Sequence, residues 1–259
     1  MKLIRLVLAA VLCTSAMARA ESNLYATGET SGNLHVVEMD KAEVAKLLPP
    51  GLSLADSGLA NRSKHPVIFY FGKQRHVHWV VFGVHTYPNT LGEEYFEQIL
   101  MIPEVKSDRY PGKIFAHVPR MFLSGIRPTL AGEFFNFNKR VAKIQYTEEG
   151  MTISELGSGR PLLSDSHSRP DRFVPGAQSA AFQKVKRYFT RAMIQPGKGT
   201  QLCSYFDWRL DSGKVAPVSS VVRIGQSYLP GLREEVYSQQ GFVFASEPIL
   251  TPPFDCSHF

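Results

Sequence analysis

The sequence lacks an apolar run long enough to cross a membrane. Its N-terminal apolar run, residues 6–12, is much shorter than the roughly 18 residues expected of a membrane-spanning helix, and no later segment could act as its stop-transfer partner. A basic start precedes the run, and the small residues Ala18 and Ala20 follow it, which is the order of a cleavable signal peptide. We therefore expect cleavage after Ala20, a single domain over residues 21–259, and a secreted or periplasmic protein without stable membrane insertion. The alternative is an uncleaved N-terminal helix.

Cysteine is scarce as well. Cys13 lies in the expected leader, so the mature chain keeps only Cys203 and Cys256. In an oxidising compartment these two can form a disulfide that ties the C-terminal tail to a strand and closes a long loop. The alternative is two isolated thiols, because the sequence does not show whether their Cα atoms come within reach of a disulfide bond.

The chain carries no large excess of charge. Its formal net charge is +6, and it falls to +3 when Lys2, Arg5 and Arg19 leave with the signal peptide. A balance this close to neutral gives no reason to expect nucleic acid as a partner.

The common catalytic motifs are missing too. The sequence contains no phosphate-binding glycine-rich loop, no Gly-x-Ser-x-Gly and no His-Glu-x-x-His. His76 and His78 would share one face of a predicted strand, with His85 seven residues further along, a spacing that can ligate zinc. Because no carboxylate or cysteine lies nearby, we expect ordinary strand histidines and no metal site.

Short runs of β-branched and aromatic residues, broken by glycine, proline, asparagine and aspartate, dominate the rest of the chain. They predict a mainly β fold of the α+β class, in which antiparallel strands curl into a closed or cone-like barrel with a few peripheral helices. The glycine- and serine-rich residues 157–178 are interpreted as one long surface loop. The predicted strands are residues 67–71, 77–84, 96–102, 113–118, 141–146, 151–155, 202–210, 215–224 and 241–244.

Two helices are predicted. The first begins at Asp40, has Glu43 at the capping-box spacing, and ends before Pro49. The second covers about residues 179–193, where apolar residues recur at helical spacing. Its basic face is interpreted as solvated surface.

Four segments of the chain form a recognisable series. They are Leu48-Pro49-Pro50-Gly51-Leu52, Tyr95-Phe96-Glu97, Val118-Pro119-Arg120-Met121-Phe122-Leu123 and Ala131-Gly132-Glu133-Phe134-Phe135-Asn136-Phe137-Asn138-Lys139-Arg140-Val141-Ala142. Taken in this order, they resemble the acetoacetate decarboxylase family, which has a Leu-Pro helix end, a Tyr-x-Glu strand, a Val-Pro-x-Met-Tyr-Leu-like strand and a Gly-Arg-Glu-x-Trp-Gly-x-Pro-Lys-Lys-x-Ala-like segment. The resemblance covers roughly residues 47–254, and its central part is the most specific.

The resemblance implies a role for individual residues. Lys139 matches the family's Schiff-base lysine, Arg140 the second cation beside it, and Glu97 the acid of the Tyr-x-Glu strand. This sequence departs from the pattern at Asn136, which replaces a glycine, at Asn138, which replaces a proline, and at Arg140, which replaces a second lysine. The residues expected to wall the substrate pocket are Phe134, Phe135, Phe137 and Met121.

The chemistry explains why a lysine would occupy such a pocket. An amine must be neutral to form an imine, and both an apolar pocket and a neighbouring cation disfavour the ammonium form; the acetoacetate decarboxylase lysine is the standard example of the second effect. The resemblance therefore implies a lyase that forms a Schiff base with a small β-keto acid or related carbonyl compound, needs no cofactor, and assembles into homo-oligomers; the signal peptide adds that this lyase is exported. It would decarboxylate the compound or carry out an aldol or dehydration step through the same imine, with Glu97 transferring a proton or orienting the substrate. One alternative is a secreted protein that binds a small molecule on the same fold without turnover. Another is an exported structural or host-contact domain in which the lysine is incidental.

Overall fold

A computed structural model describes residues 24–86, 93–134, 137–196, 201–229, 235–238 and 240–259. The expected signal peptide and its cleavage site lie outside these ranges. Within them, no helix combines the length and the apolar character needed to span a membrane. The strands are β1 (Leu24–Asp40), β2 (Leu52–Leu54), β3 (Lys64–Val81), β4 (Val84–His85), β5 (Glu94–Ser107), β6 (Phe115–Leu123), β7 (Lys139–Thr147), β8 (Gly150–Glu155), β9 (Pro161–His167), β10 (Val174–Pro175), β11 (Met193–Pro196), β12 (Gln201–Ser204), β13 (Phe206–Asp207), β14 (Lys214–Val218), β15 (Ser220–Ile224), β16 (Glu235–Tyr237), β17 (Gln240–Ser246), β18 (Ile249–Leu250) and β19 (Phe254–Asp255).

The α-helices are short and few. They are α1 (Lys41–Ala45), α2 (Ile126–Phe134) and α3 (Ala180–Val185). Single 3-10 turns lie at Gly176–Gln178, Lys186–Phe189 and Cys256–His258. The start predicted for α1 is confirmed, because the Asp40 side chain accepts hydrogen bonds from the backbone N–H groups of Ala42 and Glu43. The predicted helix over residues 179–193 is too long: it loosens into a 3-10 turn after Val185, and Met193 already belongs to β11.

The strands form one large and one small layer. In the large sheet β1 and β3 pair antiparallel over almost their whole length, β17 lies against the other edge of β1, and β5 and β6 follow β3. The small sheet consists of β7, β8, β9, β15 and β16. Strand β7 connects the two layers, because its start pairs parallel with β6 and its remainder pairs with β8.

The mainly β, antiparallel prediction is confirmed, but the predicted closure into a barrel is wrong. Across the described residues, the sheet does not close on itself. Its outlying strands β10 and β19 contain two residues each, and β10 includes Pro175, which has no N–H group to offer a further strand. The interpretation of residues 157–178 as a single loop is also wrong, because β9 and β10 lie within it.

Two apolar clusters lie on opposite faces of the large sheet. Along β3 the side chains alternate between them: Phe69 and Phe71 belong to one cluster, and Ile68 and Tyr70 to the other. The first cluster includes residues of the small sheet, such as Ile153 on β8. The second includes residues of α3 and β17, and it borders the cavity described below.

The disulfide between Cys203 and Cys256 is confirmed. Their Cα atoms lie 5.1 Å apart, within the range that a disulfide bridges, and the link closes a loop with a sequence separation of 53 residues. Both residues are fully buried, and the bond fixes β19 against β12. The C-terminal segment is thereby held to the large sheet.

We expect the disulfide to make a large contribution to stability. For a loop of this length, the chain-entropy model gives about 4 kcal/mol. The double variant Cys203→Ala/Cys256→Ala should therefore unfold at a clearly lower urea concentration than the wild-type protein. Adding a reductant should lower the wild-type midpoint and leave that of the variant unchanged. Equal midpoints for the two proteins without reductant would contradict the prediction.

Candidate active site

Strand register brings two ionisable side chains to one face of the large sheet. Ile99 on β5 lies opposite Met121 on β6, and Met121 pairs with Lys139 at the start of β7. Glu97 lies two residues before Ile99 and therefore on the same face of β5. As a result, residues 42 positions apart in the sequence, Glu97 and Lys139, face the same space.

That space is a cavity of about 70 Å³, large enough for a ligand of a few heavy atoms. Its walls are mostly apolar and aromatic, and they come from the large sheet, from α2 and from the segments around Trp208 and Pro248. Among the described lining residues, Glu97 and Lys139 are the only ones with a formally charged side chain. The full lining is Ala26, Thr27, Gly28, Gln74, Val77, Trp79, Tyr95, Glu97, Ile99, Met101, Val118, Met121, Pro128, Ala131, Gly132, Phe137, Lys139, Met193, Phe206, Trp208, Pro248 and Leu250.

The Lys139 side chain passes along α2 before its amine reaches the cavity. Gly132 makes this path possible, since a Cβ atom there would lie 1.9 Å from Cδ and 2.2 Å from Cε of Lys139. The amine lies 5.9 Å from the centroid of the Phe137 ring. Although the residue as a whole is half-buried, withdrawal of its ammonium group from bulk water lowers the pKa of Lys139; the nearby Glu97 carboxylate opposes that effect.

Glu97 is only 4% exposed, and a chain of hydrogen bonds fixes it. The Gln74 amide nitrogen donates to Glu97 Oε1 at 2.7 Å and to the Tyr70 hydroxyl at 2.7 Å. The Tyr70 hydroxyl in turn lies 2.8 Å from Thr30 Oγ1. Burial raises the pKa of the Glu97 carboxyl, while the positive charge of Lys139 and the hydrogen bond from Gln74 act in the opposite direction. Burial thus favours the uncharged form of both groups, the amine and the carboxylic acid.

The structure brings together only some of the residues expected at the site. Phe137 and Met121 line the cavity beside Lys139. Arg140 is exposed, because it follows Lys139 directly in a strand and so points to the opposite face; it does not line the cavity. Phe134 ends α2, its side chain is not among those described, and Phe135 lies outside the described residues.

One of the departures from the family pattern, Asn138, contributes two hydrogen bonds beside the lysine. Asn138 donates a side-chain hydrogen bond of 3.1 Å to the carbonyl of Pro119. Its own carbonyl accepts from the Met121 N–H at 3.1 Å, which aligns the start of β7 with β6. Asn138 therefore holds the strand that carries Lys139 in place.

Some residues of the candidate site were missed from the sequence. Gln74 orients Glu97, and residues 26–28 of β1 form part of the cavity wall. None of these residues belongs to a segment that resembles the family. Gly132 does belong to one of these segments, but only the structure shows that the space beside it is occupied by the Lys139 side chain.

The histidines expected to be ordinary strand residues lie away from the cavity. His78 Nε2 and His85 Nδ1 are 2.7 Å apart on the hairpin formed by β3 and β4; His85 is exposed and His78 is half-buried. Across the described part of the chain, no group of three or more histidine, cysteine, aspartate or glutamate side chains could hold a metal ion.

Comparison with known proteins identifies the fold. No family model matches the sequence, and no curated protein matches it either. Solved structures do match. Acetoacetate decarboxylase from Legionella pneumophila matches with a TM-score of 0.60 and 14% identity over 95% of this chain and 94% of that one. The enduracididine biosynthesis enzyme MppR complexed with pyruvate matches with a TM-score of 0.59 and 14% identity over 93% and 92%.

A third match comes from an acetoacetate decarboxylase-like enzyme of Sphingomonas wittichii RW1, with a TM-score of 0.56 and 13% identity over 90% of this chain and 92% of that one. The predicted resemblance is thus confirmed at the level of the fold, which is that of acetoacetate decarboxylase and its structural relatives.

Proposed function

We propose that this protein is a lyase that forms a Schiff base between Lys139 and a small β-keto acid or related carbonyl compound. One observation carries the proposal: an amine and a carboxyl group, both favoured in their uncharged forms by burial, face the same apolar cavity. The fold shared with acetoacetate decarboxylase, and the pyruvate complex of MppR, support a small carbonyl ligand.

The two groups together suit the steps of imine formation. The neutral Lys139 amine attacks the carbonyl carbon, and the Glu97 carboxylic acid gives its proton to the oxygen, which leaves as water. The products are a protonated imine and a Glu97 carboxylate, so no proton from outside the cavity is needed. The imine then accepts the electron pair of a neighbouring C–C or C–H bond as that bond breaks. Decarboxylation, aldol cleavage and dehydration all use this acceptor.

The role proposed for Arg140 from the resemblance is not part of this mechanism. In this chain the low pKa of Lys139 arises from burial, and the charge that faces the amine is the negative one of Glu97. The site therefore suppresses the ammonium form through its apolar walls rather than through a second cation.

We also propose that the protein is exported. The N-terminal sequence has the features of a signal peptide, and a buried disulfide is typical of oxidising compartments.

The direct test is reductive trapping. The protein without residues 1–20 is incubated with acetoacetate, pyruvate and neutral ketones, reduced with borohydride, and weighed by intact-protein mass spectrometry. We expect a single adduct, and we expect tryptic mapping to place it on Lys139. An absence of adducts with every carbonyl compound would refute the proposal. Thermal stabilisation by the same compounds without an adduct would instead indicate the non-catalytic binding protein.

The pH dependence of Lys139 reactivity provides a second prediction. Because burial lowers its pKa, acetylation of Lys139 by a small acetylating reagent should reach half its limiting rate at a lower pH than acetylation of the exposed Lys143. Glu97→Gln removes the negative charge that stabilises the ammonium ion, so it should move the Lys139 midpoint to a still lower pH. Peptide mass spectrometry of samples labelled across the pH range measures both midpoints. Coinciding midpoints for Lys139 and Lys143 would contradict the assignment.

A further inference from the structure

The charges in the cavity decide which carbonyl compounds can react there. Once the imine has formed, the described wall carries one positive group, the protonated imine on Lys139, and one negative group, the Glu97 carboxylate. An uncharged ketone or aldehyde adds no charge, so the pair remains balanced. A keto acid adds a second carboxylate to a small apolar space, where an unbalanced charge is costly.

The amide that donates a hydrogen bond to Glu97 has no further N–H group to offer a second carboxylate. Gln74 is fully occupied as a donor, because one N–H of its amide goes to Glu97 Oε1 and the other to the Tyr70 hydroxyl. Gln74 is 4% exposed, and β3 holds it between the two partners. Redirecting this amide toward a ligand would leave the buried Glu97 without its partner.

Resting on the function proposed above, we infer that among the carbonyl compounds named there the preferred substrates are small uncharged ketones or aldehydes rather than keto acids, and that Glu97 moves a proton at the carbon next to the imine. In this step the Glu97 carboxylate takes a proton from that α-carbon; the C–H electron pair forms a C=C bond to the imine carbon, and the C=N π electrons move to the nitrogen, which gives a neutral enamine. Glu97 is then a carboxylic acid, and it returns the proton in the reverse step. With a β-hydroxy ketone, the same carboxylate takes the hydroxyl proton as the bond between the α- and β-carbons breaks, releasing an aldehyde and the enamine.

Pairs of ligands that differ in charge but not in shape test this inference. Pyruvate is compared with butane-2,3-dione, and acetoacetate with pentane-2,4-dione, by the rate of borohydride trapping at Lys139. Each rate is divided by the rate of the same compound with N-acetyl-lysine methylamide, which removes the intrinsic reactivity of the carbonyl group. We expect the normalised rate to be at least tenfold higher for the neutral member of each pair. Glu97→Gln should reduce this preference at least tenfold, because it removes the charge that repels the keto acid.

Proton exchange provides an independent readout. Butanone incubated with the wild-type protein in D₂O should gain deuterium at its α-carbons, and NMR should show the exchange slowed about 100-fold or more in Glu97→Gln. Keto acids trapped as fast as their neutral counterparts would overturn the inference and leave the proposed Schiff-base function intact. Failure of all four compounds to be trapped would overturn both.

Discussion

Replacing Lys139 by methionine should abolish reductive trapping completely while leaving the protein folded. Methionine has an unbranched chain of similar length, so it can follow the same path past Gly132 and occupy the same apolar surroundings. The substitution removes the only amine among the described lining residues and, with it, the nucleophile. Intact-protein mass after borohydride reduction measures the adduct, and urea unfolding measures stability.

The change in stability also has an expected sign. Burial disfavours the charged forms of Lys139 and Glu97 alike, so the Glu97 carboxyl that remains in Lys139→Met can be protonated and leaves no buried charge; the free energy of unfolding should therefore be equal or higher. Lys143→Met is the matched control, because Lys143 lies on the same strand but is exposed; this variant should form the adduct at the wild-type rate. An adduct that persists in Lys139→Met would move the chemistry to another lysine.

The sequence predicted the centre of the candidate site because its signals are local. Lys139, Phe137 and Met121 lie in short segments whose residue types resemble those of one family, and the structure places all three around one cavity. Glu97 was found in the same way. Residues that reach the cavity from other segments were not, since nothing in the local sequence of Gln74 or of residues 26–28 indicates where β1 and β3 run.

The errors in the fold prediction have physical causes as well. Strand β1 was missed although it pairs with β3 along almost its whole length; its polar residues, such as Thr30 and Asn33, are buried against partners far away in the sequence. Helix α2 was missed because it contains Pro128 and Gly132, both poor helix formers, and tertiary contacts outweigh their weak intrinsic preference. Closure into a barrel was predicted from the number of strands, but strand number does not determine how the outermost strands end.

Arg140 matches the cation of the family pattern in sequence, but it does not lower the pKa of the lysine by facing the same cavity. Two adjacent strand residues face opposite sides, so a cation directly after the lysine reaches the cavity only if the chain bends there. In this structure Lys139 begins β7 and Arg140 continues it, and the arginine is exposed. The low pKa of the lysine then depends on the apolar walls alone. This protein should consequently be more sensitive to changes in those walls than to the loss of Arg140.

Gly132→Ala is the sharpest test of that dependence, because it should eliminate function without weakening the fold. The added Cβ atom would lie 1.9 Å from Lys139 Cδ, far inside van der Waals contact. Lysine is flexible, so its side chain should move aside rather than the backbone, and the amine should leave its position between Phe137 and Glu97. Trapping at Lys139 should fall about 100-fold or more, as expected when a reacting group is displaced by about an ångström.

Stability should change in the opposite direction. Gly132 lies within α2, where alanine is favoured over glycine by about 0.5–1 kcal/mol, so the urea midpoint should stay the same or rise. Gly125→Ala, immediately before the same helix, is the matched control: its added Cβ would meet only the Pro128 ring, at 3.2 Å, and the Lys139 path would remain open. That variant should retain trapping. Equal trapping by Gly132→Ala and the wild-type protein would mean that the amine reacts from a position other than the one beside α2. The proposal that this cavity is the active site would then be wrong.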